Sequence, residues 1–194
     1  GKDQVNYAME QSAELLKIHK DLVDAKKEAD EYYYGWEINE LEKLKSSKKL
    51  IKKDEEKVEH DISQLRIHET KQESKQLLDI HENLVDEKKA SGEYSLEWEI
   101  KQLETLKNHH KLVKTDEAKV EKQIAALKIK YNKEVSDFQL AEQLSVMMTE
   151  VENGALRAEN ARLLLEQMLL DETLAAEQKK AIMNDIDALD KKIL

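Results

Sequence analysis

Histidine is the side chain best suited to hold a metal or move a proton near neutral pH, and this chain has six. His19 and His81 occupy equivalent points of two related segments. They form a ligand pair only if those segments meet; otherwise each is a partly exposed residue at the edge of an apolar seam. His109 and His110 are adjacent, and on a helix adjacent side chains diverge by about 100°, too far to chelate together. No His-x-x-x-His occurs, nor the Glu-x-x-His used by di-iron bundles. No metal is expected.

The other reactive residue types are equally unpromising. There are 42 carboxylates, but acid–base work needs one of them desolvated, and these fall mostly on polar faces. Cysteine is absent, which excludes thiolate ligands, disulfides and cysteine nucleophiles. Gly35, Gly92 and Gly154 stand alone, so no glycine-rich loop can cradle a phosphate, and Ser46 and Ser47 have no histidine beside them. The expectation is a protein without cofactor or catalysis.

Two clusters point instead to surface contact. Lys43, Lys45, Lys48, Lys49, Lys52 and Lys53 lie within eleven residues, and Lys45, Lys48, Lys49, Lys52 and Lys53 are candidates for an anionic membrane or an acidic partner. A solvated helical face balanced by the following DEEKVE is the plainer reading. The stretch EYYYGWEI (31–38) crowds Tyr32, Tyr33, Tyr34 and Trp36 together, although the whole chain has only nine aromatic residues. Tyr32 and Trp36 recur as Tyr94 and Trp98 and read as packing residues. Tyr33 and Tyr34 become Ser95 and Leu96, so they are the candidates for a copy-specific partner contact.

The elements that position these residues follow from composition and period. With no proline, four glycines and 38% charged residues, the 194-residue chain has the make-up of long helices. A 62-residue tandem repeat dominates it: 30 of the 58 positions from Ser12 to Glu69 match residues 74–131 without a gap. Repeats are therefore assigned to 12–73 and 74–135, and a Leu/Met/Ala-rich segment to 136–194. Within the first copy Leu15, Leu22, Ala29 and Trp36, then Leu44, Ile51, Val58 and Leu65, form heptads with one skipped residue. That seam predicts an all-α fold, an elongated antiparallel bundle of three long helices with coiled-coil-like packing. The corners are expected at the polar stretches HETKQESKQ (68–76) and KYNKEVSD (130–137), and ENG (152–154) and LDET (170–173) warn of breaks in the third segment. At the aromatic cluster a turn is the weaker explanation. A second arrangement places turns at KSSKK (45–49) and KNHHK (107–111), with two helices per repeat.

Charge and targeting narrow the function. A net charge of −10 disfavours nucleic acid as a partner. No apolar run is long enough to span a bilayer, and a chain starting at Gly1 reads as a processed, excised or recombinant fragment. The expected protein is soluble, with a cytoplasmic location favoured over secretion. Its expected role is a rigid helical scaffold or docking module that binds another protein through its helix faces, with self-association possible through the third segment. The alternatives are a peripheral membrane-remodelling module and a secreted or translocated factor that binds a host protein.

Overall fold

The computed structural model describes residues 1–194. It is all-helical, with seven helices: α1 (Lys2–Glu28), α2 (Tyr34–Ser46), α3 (Lys52–Ser91), α4 (Leu96–Asn108), α5 (Lys114–Glu152), α6 (Ala158–Met168) and α7 (Ala176–Ile193). They divide into two compact units, Gly1–Ile124 and Ala125–Leu194. No helix is long and apolar enough to cross a membrane.

The expected corners lie elsewhere. Residues 68–76 are inside α3 and 130–137 are inside α5, so the picture of three long helices is replaced by seven. Every residue of HETKQESKQ tolerates a helix; its polarity marks exposure rather than a break. The reversals occur at 29–33, 47–51, 92–95 and 109–113, two of them where the second arrangement put its turns. Heptad spacing passes unbroken through those turns because it counts residues and is blind to chain direction. The left-handed residues lie in them: Asp30 (φ 59°) and Gly92 (φ 76°), then Lys48 (φ 59°) and His110 (φ 55°). Each pair is 62 positions apart, and Gly154 (φ 76°) continues the first series. Glycine takes this region without penalty, while Asp30 is one of the few side-chain types that tolerate it. A turn at the aromatic cluster is therefore real, and ENG and LDET both fall at ends of α-helices.

The buried face of α1 is displaced from the heptad seam. Leu22 and Ala29 are exposed, whereas Ser12 and Val23 are buried, with Leu15, Leu16 and His19 half-buried between them. Ile38 and Leu41 of α2, Leu50 of the turn, and Val58 and Ile62 of α3 close this core. Ile100, Leu103, Val120 and Ile124 are buried at the positions of Ile38, Leu41, Val58 and Ile62 in the next copy, while Leu112 is half-buried where Leu50 is buried. In the second unit α5, α6 and α7 enclose Leu140, Leu144, Leu165, Ile182, Ile186 and Leu189. Leu41, Leu103 and Leu165 are spaced by 62 residues, as are Val58, Val120 and Ile182.

A buried serine fastens each of the first two cores. Ser12 Oγ accepts the Ile51 N–H (3.1 Å) and donates to Asp54 (2.6 Å), capping α3 from another helix. Ser74 does the same with Val113 N–H (3.0 Å) and Asp116 (2.6 Å) at the start of α5. At Ser136 the partner is Gln178, whose amide donates to Ser136 (3.2 Å) and to Asp137 (2.7 Å). Only 11 of the 59 residues in 136–194 match 74–132, so the sequence does not point to this parallel.

Candidate functional site

His19 and His81 do not act as a ligand pair; each is engaged within its own copy. His19 Nε2 lies 3.3 Å from Glu37, and the Tyr32 hydroxyl donates to the other oxygen of Glu37 at 2.6 Å. In the second copy His81 is 3.8 Å from Glu99, which also accepts from the Tyr94 hydroxyl. Each triad joins a long helix to the turn and first helical residues after it. Spacing alone did not reveal it, because the three residues are brought together by the reversal at 29–33 or 92–95. Burial, reinforced by the Glu37 carboxylate, raises the Tyr32 phenol well above its ordinary value, so it remains a donor. Each triad is an internal polar tie.

Burial holds the His81 imidazole below its ordinary pKa, against the opposing pull of Glu99 and, more weakly, Glu82. Asp116 and Lys119 of α5 line the same groove as His81. With its pKa lowered by folding, the native chain binds fewer protons at this site than the unfolded chain. Its contribution to stability is therefore complete above the unfolded value of about 6.5 and is lost as the pH falls below it. His81→Gln, the residue type found at Gln143, is expected to reduce the stability lost between about pH 7 and 5. Denaturant unfolding at both pH values checks this; an unchanged loss would show that His81 is not the group responsible.

The aromatic stretch divides differently from its copy pattern: Tyr34 packs with its neighbours, and Tyr33 alone of the four rings is exposed. Tyr32 and Trp36 are half-buried with rings edge-on at 6.2 Å, and Tyr94 and Trp98 repeat this at 6.3 Å. Lysines cover these rings: Lys26 over Trp36 and Lys88 over Trp98 at 5.5 and 5.6 Å. Tyr34 is half-buried and stacks on His68 at 6.0 Å. Tyr33 is 63% exposed at the N-cap of α2 and makes no capping bond. Ser95, its counterpart, accepts the Trp98 N–H at 3.1 Å. Tyr33→Ser is therefore expected to stabilise the chain by about 1 kcal/mol through the missing cap. Thermal unfolding measures the change, and destabilisation would show that the exposed ring packs after all. Tyr33 thus occupies a position where the neighbouring copy carries a capping residue.

Of the candidate lysines, Lys45 is half-buried and paired with Glu59 at 3.0 Å, as Lys107 is with Glu121 at 2.8 Å. Lys48 and Lys49 in the turn and Lys52 and Lys53 at the start of α3 are exposed. Four of the five thus gather at one corner, and Lys45 is a tie between α2 and α3.

No protein-family model, curated protein or solved structure matches this chain. The candidate surfaces are therefore judged on chemistry alone. Apolar side chains stand in solvent at equivalent positions: Ile18 and Ile80 are 48% and 62% exposed, and Ile67 and Ile129 47% and 72%. Two grooves between a long helix and the short helix after it are also related by this spacing. Leu77, Leu84 and Leu106 line one between α3 and α4, and Gln139, Val146 and Met168 line its counterpart between α5 and α6.

Proposed function

We propose that the chain is a non-enzymatic docking scaffold built from three versions of one helical unit, at 12–73, 74–135 and 136–194. Each unit comprises half of a long helix, a short helix and the start of the next long helix. The observation that carries this reading is the division of labour among side chains. The residues with reactive groups are tied to one another within the fold: Ser12 to Asp54, His19 to Glu37, Tyr32 to Glu37. Large apolar residues, by contrast, are exposed at repeated positions, notably Ile18, Ile80, Ile67 and Ile129. Scattered exposed apolar residues are ordinary, but their recurrence at one place in successive copies fits a surface that binds protein partners.

Aspartate at Ile18 and Ile80 together tests the reading. Proteins cross-linked to the native chain in its host are expected to be lost from the double variant while circular dichroism stays unchanged. An identical set of cross-linked proteins would remove these faces from the scaffold's function.

A second reading is favoured by one observation, the exposed corner of Lys48, Lys49, Lys52 and Lys53. Such a corner gains roughly 1 kcal/mol per lysine beside an anionic bilayer. Sedimentation with phosphatidylserine vesicles at low salt tests it; a chain that stays in the supernatant sinks it.

A further inference from the structure

We infer that the groove between α5 and α6 receives a basic amphipathic helix from a partner protein. The inference rests on the docking-scaffold reading and names the chemistry of one of its sites. The groove encloses about 800 Å³ in the second unit. Val146, Met147, Leu164 and Met168 supply its apolar floor, and Glu142 and Glu150 line it one turn before and one turn after Val146 on α5. Val146 is 54% exposed and Leu164 43%, so the floor is open to solvent. Methionine adapts its shape to what packs against it, which suits a groove for a helix.

The internal copies supply the comparison that selects the occupant. The counterpart groove between α3 and α4 is smaller, about 220 Å³, and it is lined by His81, His109 and Lys111 with no carboxylate. The α5–α6 groove is lined by Glu142 and Glu150 with no basic residue. Glu142 replaces Ile80, and Glu150 replaces Lys88, whose ammonium lies over the Trp98 ring. Asn160 stands in place of that tryptophan. The third copy has therefore lost the lysine–tryptophan pair and carries acidic groups at its groove. Glu142, Val146 and Glu150 are successive i, i+4 positions, so the two carboxylates bracket the apolar floor at a separation of about 12 Å along α5. A matching helix presents apolar residues at i, i+3 or i+4 and i+7, with Lys or Arg about eight positions apart on either side. A second copy of this chain is the poorer match, since each copy carries a net charge of −10.

The test uses the full 194-residue chain and two fluorescein-labelled helical peptides of about 18 residues. One carries leucines at the stated spacing with bracketing lysines, and its twin has glutamates in place of the lysines. Anisotropy is expected to show binding of the lysine peptide alone, weakened between about 0.05 and 0.5 M salt. Val146→Glu is expected to reduce affinity at least about tenfold, and Glu142→Lys with Glu150→Lys to transfer preference to the glutamate peptide. Gln72→Glu, on the exposed middle of α3, should change affinity less than about twofold. Circular dichroism establishes that each variant is folded. The proposal is overturned if the lysine peptide does not bind, if it binds the Val146→Glu chain equally, or if both peptides bind alike. It is also overturned if the chain forms a dimer that Val146→Glu dissociates, which would give the groove to a second copy. Loss of the groove leaves the scaffold reading to the Ile18 and Ile80 variants, whose readout is independent of the peptide.

Discussion

Gln72→Pro is expected to destabilise the chain by about 3 kcal/mol or more, whereas Lys52→Pro should change stability by less than about 1 kcal/mol. Gln72 is exposed and far inside α3, which spans Lys52–Ser91. Proline there removes a backbone hydrogen bond and drives its ring against the carbonyl four residues earlier. Lys52 is the first residue of the same helix, and Ile51 before it is extended at φ −68° and ψ 158°. That conformation is the one proline demands of its predecessor, and the N–H lost at the first helical position has no intrahelical partner. Removing a cation from a helix N-terminus is mildly favourable as well. Guanidinium unfolding followed by circular dichroism gives both values. The reverse order, with Gln72→Pro tolerated and Lys52→Pro severe, would restore corners at 68–76 and the three-helix arrangement.

Ser12→Ala should cost about 1–3 kcal/mol, and Ser74→Ala the same. Each serine is fully buried, and each hydroxyl serves two partners, a backbone N–H at a helix start and a carboxylate. Alanine leaves both of them without the bond, in a place water reaches poorly, which is why the penalty exceeds that of an ordinary surface cap. The two costs should add within about 0.5 kcal/mol, because the serines share no partner. Ser136→Ala is the internal control. Ser136 is exposed, and Gln178 keeps its bonds to Asp137 (2.7 Å) and to the Ala175 N–H (3.0 Å) without it. Its expected cost is under about 0.5 kcal/mol. Equal losses at all three serines would mean that the hydroxyl's partners do not set the penalty.

The two sets of variants probe what was hardest to read from the residues. A polar, proline-free stretch such as HETKQESKQ has no signal that separates an exposed mid-helix from a corner, since both lack aliphatic residues. The true turns at 47–51 and 109–113 were masked for the opposite reason. Leu44, Ile51 and Val58 keep seven-residue spacing across a reversal, because the apolar residues on both sides face one core. The sharper clue was conformational. Asp30 and Gly92, 62 residues apart, are residue types that accept the left-handed region, and Gly154 is the next in that series.

Helical content, the 62-residue period and the copy-specific character of Tyr33 were all determined by the residues alone. Each depends on composition or on comparing one segment with another, and neither needs a third dimension. The tertiary structure decided what depends on chain direction. It set which half of each long helix packs with which short one, and so joined His19 to Glu37 and Ser12 to Asp54. It also buried Leu165, Ile182 and Gln178, which stand 62 residues beyond Leu103, Val120 and Asp116 in a segment where matching residues are few. The physical reason is that packing conserves volume and hydrogen-bond geometry at a position, and several side chains satisfy both.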